Sequence, residues 1–529
     1  MKNKNRKNRK NSKNSKKNNP RKNNSKINST FLLKVKYLDI QTGYPWIAVI
    51  HEEDGETFGI RPGDEVALKW KNKQTEIAVD TTRSMVNKGE IGLFRDITNK
   101  YKIRERELLE LKLAGQPASI KTIHKKLDGE RITYKEICSL VSDIAKFRIN
   151  DLELAFFIAS AFDEKNFSRE EIYYLTKAIS ETGEMLKFGN LVADKHSIGG
   201  IPGNRVTPIV IPIVASYGVI IPKTSSRAIT SAAGTADTME VLAPVGFNAK
   251  EIKKIVKETN ACLIWGGALR LAPADDRFVE ITRRLGREPY SKMVVSIMSK
   301  QVATGVNRLI IDMPVGPTAK IHNEKDVRFV KNLFFYLARR FQMKIKIITT
   351  KAMGPIGRGI GPSLEARDVM RVLQQKEERP KDLEEKAVLL AGQLLELVGR
   401  AKKNKGQKIA LDSLKSGKAL EKMREIIKAQ GGDFNIDSEE IKIGKVFWEL
   451  KSPKEGLIKA IDNKNLNKIC RLLGAPSTKE AGVYLNKTVG EKVKKKEVLC
   501  TFYTNSDQRL LLAKHAFKKL ELYAIINHN

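Results

Sequence analysis

Apolar and polar residues alternate over short segments between about Phe31 and Ile97, for example across residues 33–37, and glycines separate the segments. A period of two is typical of strands with one buried face, and glycine accommodates the turns between them. The pattern therefore predicts a small β-barrel or β-sandwich, which we assign to residues 29–100.

The periodicity becomes helical between about residues 101 and 185. Two capping-box signatures predict helix starts there, Thr133 with Glu136 and Ser168 with Glu171. In each pair the hydroxyl can accept the backbone N–H three residues on, while the glutamate reaches back to the N–H of the first residue. We expect a helical domain over residues 101–185.

Strand-like and helix-like segments alternate from residue 186 to residue 432. Three apolar runs are predicted strands: 210–213, 309–313 and 345–349. Two longer segments have helical periodicity: 249–259 and 324–341. Such alternation is typical of an α/β domain built on a parallel or mixed sheet.

The last part of the chain, residues 433–529, mixes strand-like pieces with a predicted helix at residues 465–473. We expect a separate α+β domain there. With 529 residues, the chain exceeds the size that one hydrophobic core serves, roughly 250–300 residues. The prediction for the whole chain is a multidomain α/β protein with an N-terminal β-barrel-like domain, a helical domain, an α/β domain with a mixed sheet and a C-terminal α+β domain.

The composition is that of a globular protein, because 41% of the residues are hydrophobic and 30% are charged. The richest apolar stretch, residues 209–221, is interrupted by Pro212 and Gly218 and falls short of the ~18 residues that a membrane-spanning helix needs. The 4 cysteines form no CxxC pair and indicate neither a disulfide framework nor a zinc site. We therefore expect a cytoplasmic protein without a membrane span.

The formal net charge is +36, and residues 1–28 alone contain twelve Lys or Arg and no acidic residue. That composition predicts a disordered segment. A basic surface attracts polyanions through counterion release, so nonspecific RNA binding by this tail is one interpretation. A lysine-rich proteome and a substrate that carries phosphate are two others.

The most informative segment is residues 194–207, in which Lys195, His196 and Ser197 directly precede a glycine-rich turn. Glycine lets backbone N–H groups converge on an anion, a lysine adds charge, and a following helix N-terminus adds favourable potential. The segment predicts a phosphate-binding loop, with an ordinary surface turn as the alternative.

A second loop, residues 223–237, follows a strand-like run and is rich in hydroxyl groups, with Arg227 among them. Hydroxyls and a guanidinium suit an oxyanion at the carboxyl edge of a sheet, where α/β folds bind their ligands. A solvated loop with capping hydroxyls would also account for it, but two such loops in one α/β domain favour a phosphate ligand.

Four sequence elements together resemble the thymidine phosphorylase family, and within it the archaeal AMP phosphorylase branch. They are Lys195-His196-Ser197 with its Gly-Gly turn, residues 225–235, residues 271–275 (Leu-Ala-Pro-Ala-Asp) and residues 296–300 (Ser-Ile-Met-Ser-Lys). Residues 354–358 and 481–493 extend the likeness, which covers about residues 31–522.

The resemblance implies roles for individual residues. The phosphate site would comprise Lys195, Ser197, Gly199, Gly200, Thr207, Ser225 and Thr235, with His196 facing the scissile bond. The nucleotide would contact Ile198, Ile201, Pro202, Gly203, Arg227, Ile229, Ala268, Lys292, Ser296 and Lys300. No metal and no organic cofactor is implied, because inorganic phosphate is itself a substrate.

The implied reaction is phosphorolysis, in which phosphate attacks the anomeric carbon of AMP and yields adenine and ribose 1,5-bisphosphate. CMP and UMP are further candidate substrates. Holding phosphate in place converts an encounter into an oriented reaction, and fixed polar groups stabilise the charge that develops. Family members associate, so a homodimer or larger homo-oligomer is implied as well.

One departure from the family concerns the proton that the leaving base takes up. The archaeal branch is expected to have an aspartate just before Ala261, where this chain has Asn260, and an amide cannot act as an acid. Either Asp275 or Asp276 would then take over, or the substrate would differ from that of the archaeal branch. Asn260 and Asp275 both stand as candidate catalytic residues. Lys292, shortly before Ser296, is a candidate for meeting the 5′-phosphate of the nucleotide, with a solvated surface lysine as the alternative.

Three other functions remain open. Pyrimidine-specific relatives read the base with an arginine where the ungapped register gives Thr282, which disfavours a thymidine or pyrimidine nucleoside phosphorylase. A phosphoribosyltransferase of the anthranilate type shares the helical and α/β architecture and also binds phosphates on a glycine loop. An RNA-binding protein would use residues 1–28 and would show a strong salt dependence.

Overall fold

A computed structural model describes residues 30–42, 46–113, 117–162, 166–228, 231–269, 271–286 and 289–527. The basic segment 1–28 and the candidate residue Ile229 lie outside the described residues. The chain divides into two compact units, Met1–Gln116 and Pro117–Asn529. Within the described part of the chain, no helix is both long and apolar enough to span a membrane.

Six strands of the first unit close into a barrel in the order β1-β5-β2-β4-β3-β6. They are β1 (Thr30–Leu38), β2 (Ile47–His51), β3 (Asp64–Trp70), β4 (Lys73–Thr82), β5 (Glu90–Phe94) and β6 (Leu108–Leu113), and two short helices accompany them, α1 (Glu52–Phe58) and α2 (Arg95–Tyr101). Alternate residues fill the interior, such as Leu33 and Val35 on β1 and Val66 and Leu68 on β3. This period of two is the one that the sequence displays.

The last barrel strand lies beyond the predicted boundary at residue 100. β6 pairs with both β1 and β3 and so closes the barrel, which leaves no unpaired edge. The N-terminal unit therefore extends through β6 and ends later than the sequence pattern suggested.

The second unit begins with four helices that share one apolar core. They are α3 (Ile120–Leu127), α4 (Tyr134–Ala145), α5 (Asp151–Ala161) and α6 (Arg169–Thr182). Both predicted capping boxes are confirmed, with Thr133 before α4 and Ser168 before α6. Leu140, Leu154 and Leu175 lie fully buried where these helices meet.

An α/β arrangement follows. Its strands are β7 (Ala193–Ser197), β8 (Ile221–Ser225), β9 (Ala261–Trp265), β10 (Arg308–Val315), β11 (Lys344–Lys351) and β12 (Gly359–Ile360). Its helices are α7 (Thr207–Ala215), α8 (Thr235–Met239), α9 (Ala249–Thr259), α10 (Pro273–Leu285), α11 (Tyr290–Ala303), α12 (Glu324–Arg340), α13 (Pro362–Leu373), α14 (Lys381–Leu397), α15 (Gly406–Lys415) and α16 (Lys418–Ala429). The predicted helices at 249–259 and 324–341 and the strands at 309–313 and 345–349 are confirmed.

The first five strands of this region, β7 to β11, pair in parallel, whereas β12 pairs antiparallel with a strand of the C-terminal region. β11, β10 and β7 form one sheet, β8 and β9 form another, and a parallel bridge between Val192 and Ile220 joins the two. The carboxyl ends of all five strands therefore lie along one edge, the edge at which open α/β sheets bind ligands.

The predicted strand at 210–213 is wrong, because these residues lie inside α7. Every residue of α7 is buried, so its pattern is apolar all round and periodicity alone cannot distinguish it from a buried strand. Pro208 in the first turn of α7 is the local signal for a helix start.

The C-terminal region, residues 433–529, carries two antiparallel sheets. Its elements are β13 (Val446–Lys451), β14 (Gly456–Ile461), α17 (Asn463–Leu473), β15 (Gly482–Leu485), β16 (Lys492–Val493), β17 (Val498–Thr504), α18 (Asp507–Phe517) and β18 (Tyr523–Ile526). The sheet orders are β12-β15-β17-β13 and β16-β14-β18. Because β12 comes from the α/β region, hydrogen bonds tie the two regions into one unit.

Candidate active site

Side chains from several strands meet at the carboxyl edge of the parallel sheet. β7 ends at Ser197, β8 at Ser225 and β9 at Trp265. The strand register pairs Ser197 with Asp312 and Ser225 with Trp265. The two loops that the sequence singles out therefore begin at the same edge of one fold.

The first of these loops is the glycine turn, residues 198–206, between β7 and α7. Gly199, Gly200 and Gly203 have φ values of +86°, +91° and +70°, a region that residues with a Cβ rarely occupy. A Cβ at Gly203 would also lie 2.2 Å from the carbonyl oxygen of Ile356. The turn delivers the chain to the N-terminus of α7, where backbone N–H groups favour an anion.

Lys195 lies beneath this turn with none of its side chain exposed. Its Nζ is 3.2 Å from Thr207 Oγ1, at the first turn of α7, and 3.9 Å from Asp312 Oδ2. Burial lowers the pKa of Lys195 to about 7, although Asp312 partly opposes that shift. The ammonium form is therefore poorly neutralised, and an arriving anion would stabilise it.

Asp312 is a site residue to which the sequence analysis assigned no role. Its carboxylate is fully buried and accepts hydrogen bonds from Ser197 Oγ at 2.8 Å and from Asn204 Nδ2 at 3.1 Å. Lys386 Nζ lies 3.0 Å from the other oxygen. Burial would raise the pKa of Asp312, but Lys386 and Lys195 outweigh it and hold that pKa below its usual value. The available signal was a charged residue inside an apolar strand.

His196 follows Lys195 on β7, so their side chains leave opposite faces of the sheet. Its imidazole is half-buried. Burial, together with the charges of Lys223, Lys195 and Lys300, holds the pKa of His196 well below 6.5. The ring is therefore neutral at physiological pH.

The second loop is the hydroxyl loop, which we define as residues 225–228 and 231–235. Ser225 Oγ is buried, and within the described residues it has no hydrogen-bond partner. Thr235 is the first residue of α8. A buried hydroxyl without a partner carries a desolvation cost that a ligand oxygen would relieve.

Arg227 of the hydroxyl loop is already bound by acidic side chains. It donates to both carboxylate oxygens of Glu240, at 2.7 and 2.6 Å, and to Asp237 at 3.2 Å. Its guanidinium lies over the ring of Trp265, 4.8 Å from the centroid. These contacts make Arg227 a residue that fixes the shape of the loop.

A second polar group surrounds Asp275, which lies in the first turn of α10. Asp275 Oδ2 accepts hydrogen bonds from Ser296 Oγ at 2.6 Å and from Lys300 Nζ at 2.5 Å, and Lys292 Nζ is 4.0 Å from Oδ1. Burial raises the pKa of Asp275, but Lys300 and Lys292 outweigh it, so the pKa lies below 3.8. Asp275 is thus held as a carboxylate and has no proton to donate near neutral pH.

The pKa of the next residue, Asp276, is shifted in the opposite direction. Desolvation by the surrounding protein raises the pKa of Asp276 to about 6, although the residue itself is exposed at the surface. Of the two carboxyls that the sequence offers for protonating the leaving base, Asp276 is the one able to carry a proton.

Asn260 is not brought to this site. It caps the C-terminus of α9 in a left-handed conformation, with φ +62°, and its carbonyl accepts the N–H of Ile221 at the start of β8. It therefore lies at the amino end of β9, the opposite end from Trp265. A strand of five residues separates the two edges by ~16 Å at about 3.3 Å per residue, so the geometry contradicts a direct catalytic role for Asn260.

The remaining candidates line or support the same edge. Ile198, Ile201 and Pro202 are buried in the glycine turn, whereas Ala268 is exposed in the turn Gly266–Leu269 that follows β9. Thr282 Oγ1 bonds to the carbonyl of Phe278 within α10. Among the described residues, no group of three His, Cys, Asp or Glu side chains could hold a metal ion.

Comparison with known proteins adds two family matches and several close relatives. Residues 189–420 match the a/b domain of the glycosyl transferase family, and residues 457–523 match the pyrimidine nucleoside phosphorylase C-terminal domain. The chain is 41% identical over 478 residues to an AMP phosphorylase of Methanocaldococcus jannaschii, covering 90% of this chain and 94% of that protein. It is 42% identical over 489 residues to an AMP phosphorylase of Pyrococcus furiosus, covering 92% and 96%.

One solved structure with a similar fold is anthranilate phosphoribosyltransferase from Thermus thermophilus. The superposition has a TM-score of 0.50 at 15% identity and covers 58% of this chain and 98% of that one. At this identity the likeness concerns the fold alone.

Proposed function

The chain belongs to the AMP phosphorylase branch of the thymidine phosphorylase family, and we propose that it cleaves the N-glycosidic bond of AMP with inorganic phosphate. The products are adenine and ribose 1,5-bisphosphate. One observation supports this most strongly: a buried, weakly neutralised lysine on β7 and a buried hydroxyl at the end of β8, which has no hydrogen-bond partner among the described residues, lie toward one sheet edge.

Phosphate binds between the glycine turn and the hydroxyl loop in this proposal. The residues that hold it are Lys195, Ser197, Gly199, Gly200, Thr207, Ser225 and Thr235. Lys195 supplies the charge, and Ser225 donates the hydrogen bond for which it has no partner in the described structure. The hydroxyl of Ser197 donates a hydrogen bond to Asp312. It can donate to phosphate only if the phosphate oxygen displaces that carboxylate as the acceptor.

The reaction forms a bond between a phosphate oxygen and the anomeric carbon, and it breaks the bond from that carbon to the base nitrogen. The electron pair of the broken bond goes to adenine, which takes up a proton from Asp276, the carboxyl whose pKa is raised to about 6. Positive charge develops on the sugar between the two groups, and the phosphate held on one face stabilises it. His196, as a neutral imidazole, faces this centre and orients the sugar through hydrogen bonds.

The nucleotide occupies the side of the site formed by Ser296, Lys300 and the glycine turn. Asp275 binds both Ser296 and Lys300, so we assign Asp275 the role of positioning them rather than that of an acid. Lys292 is almost fully buried beside Asp275 and, together with Lys300, balances the negative charge of the Asp275 carboxylate. Lys300 is 30% exposed and is therefore the better placed of the two lysines to meet the 5′-phosphate.

A side-by-side assay tests the proposal. Purified protein is incubated with phosphate and AMP, adenosine, CMP, UMP, uridine or thymidine, and the free base is quantified. We expect phosphate-dependent adenine release from AMP and little from adenosine, because the 5′-phosphate contributes binding. Activity confined to uridine or thymidine would overturn the substrate assignment and favour a pyrimidine nucleoside phosphorylase.

Three further proposals accompany this function. Phosphate enters as a substrate, and the reaction uses no metal or organic cofactor. The protein acts in the cytoplasm as a homo-oligomer. Residues 1–28 bind RNA nonspecifically, and deleting them leaves phosphorolysis intact.

A further inference from the structure

The hydroxyl loop is held by the C-terminal region and not only by the α/β region that contains it. The backbone N–H of Ala232 donates to Asn467 Oδ1 on α17 at 2.9 Å. The methyl group of Ala232 is buried in the hydrophobic core of the C-terminal region, with Ile469 and Phe502 among its members. The returning arm of the loop is therefore anchored in another part of the fold.

The same peptide segment is also bound by a residue of the α/β region. Arg205, in the glycine turn, donates to the carbonyl oxygen of Ala233 and to Glu365. The N–H of Ala232 and the C=O of Ala233 are thus fixed by side chains from two different regions. None of the residues proposed to touch substrate lies on α17, the helix that carries Asn467.

A second contact from the C-terminal region reaches the other arm of the loop. Lys479 Nζ lies 3.1 Å from Glu240 Oε2 and donates to the Glu240 carbonyl at 3.2 Å. Glu240 in turn accepts both hydrogen bonds from Arg227. Hydrogen bonding by Arg227, together with Lys479, lowers the pKa of Glu240 to about 2 despite the opposing effect of burial. Glu240 therefore stays ionised, and keeps its contacts with Arg227 and Lys479, at any physiological pH.

We propose that Asn467 is a positioning residue for phosphate binding, which it supports by fixing the returning arm of the hydroxyl loop through Ala232. The inference rests on the proposed function, because it takes Ser225 and Thr235 as ligands of phosphate. Its physical basis is preorganisation: hydroxyl groups bind an oxyanion tightly only when the backbone that carries them is already ordered.

The test compares two asparagines on α17. Asn467→Ala removes the acceptor for Ala232, whereas Asn465→Ala removes an amide that donates to the Glu521 carbonyl, away from the loop. Both side chains are half-buried, so Asn465→Ala is a matched control. Asn467→Asp keeps an oxygen acceptor and serves as the conservative variant.

Two measurements are made on the full-length protein. Hydrogen exchange by mass spectrometry follows the peptide that contains residues 231–235, and steady-state kinetics give KM for phosphate and kcat with AMP. For Asn467→Ala we expect faster exchange and a rise in KM for phosphate of roughly fivefold, the order expected for one lost hydrogen bond, with kcat changed less than about twofold. Asn467→Asp restores both readouts, and Asn465→Ala changes neither.

Several outcomes overturn the proposal. Equal exchange in the two alanine variants would show that Asn467 does not order the loop. Faster exchange without a change in KM would show that the ordering is irrelevant to phosphate. If the wild-type protein has no phosphorolytic activity, the proposed function fails, whereas the exchange comparison still decides whether Asn467 holds the loop.

Discussion

Replacing Asp312 with asparagine should destabilise the protein strongly, and more so at low pH. Asp312 is the shared anion of two buried cations, Lys195 and Lys386, whose side chains are 0% and 7% exposed. The neutral amide keeps the shape but leaves both charges without an anionic partner. Breaking a buried pair in this way typically costs ~3–5 kcal/mol, so we expect a loss of about 3 kcal/mol at pH 6.

The pH dependence follows from Lys195, whose folded pKa is lowered to about 7 against 10.5 for an ordinary lysine. Asp312 raises that pKa, so the variant has a still lower value. At pH 6 Lys195 is charged in the wild-type protein, and the Asp312 carboxylate stabilises that charge. At pH 9 Lys195 is neutral in both proteins. The destabilisation contributed by Lys195 is therefore present below pH 7 and lost as the pH rises above it.

The assay is urea unfolding of both proteins at pH 6 and pH 9 in buffers of equal ionic strength. Asp437→Asn is the matched control, because Asp437 pairs with Lys376 at 2.8 Å while both side chains are 37% exposed; it should cost at most ~1 kcal/mol. Adding Lys386→Met to Asp312→Asn should recover part of the loss, since one unpaired charge is removed. A loss below ~1 kcal/mol at pH 6, or one that grows toward pH 9, would refute the assignment of Asp312 as the common counterion.

Three further predictions follow from the same site. Phosphate favours the ammonium form of Lys195, so phosphate binding at pH 8 should take up a proton and weaken as the pH rises from 7 to 9; calorimetry in two buffers of different protonation enthalpy detects this, and Lys195→Met should abolish it. Gly203→Ala should cost at least ~2 kcal/mol in urea unfolding, because its Cβ meets Ile356 O at 2.2 Å, whereas Gly199→Ala, with nothing within 4 Å, should cost only about 1 kcal/mol of backbone strain. Ser225→Ala should leave Tm unchanged while raising KM for phosphate about tenfold; a fall in Tm with unchanged KM would mean that the hydroxyl serves folding alone.

Local signals in the sequence were sufficient for most individual elements. Capping boxes located the starts of α4 and α6, because they are satisfied within four residues of chain. The prediction of a strand at 210–213 was wrong for the opposite reason. A helix that is buried on every side carries no periodic polar face, and only tertiary packing distinguishes it from a strand. The sixth barrel strand was missed because closure of a barrel is a long-range property.

In the candidate site, too, residues that are close in sequence were predicted and residues that meet only through the fold were not. Lys195, Ser197 and the glycine turn are contiguous, so the sequence displays them together. Asp312 and Lys386 approach Lys195 only through the pairing of β10 with β7 and the packing of α14, and no local pattern joins them. Asn260 was a candidate by alignment alone, and strand direction places it at the wrong edge of the sheet.

The most direct test of the central claim follows the phosphorus atom. The protein is incubated with AMP and phosphate labelled with ³²P, and the products are separated by anion exchange. Phosphorolysis predicts one labelled ribose 1,5-bisphosphate for each adenine released, with no release when phosphate is omitted. Adenine released without incorporation of label would mean that water, not phosphate, attacks the sugar, and would contradict the account.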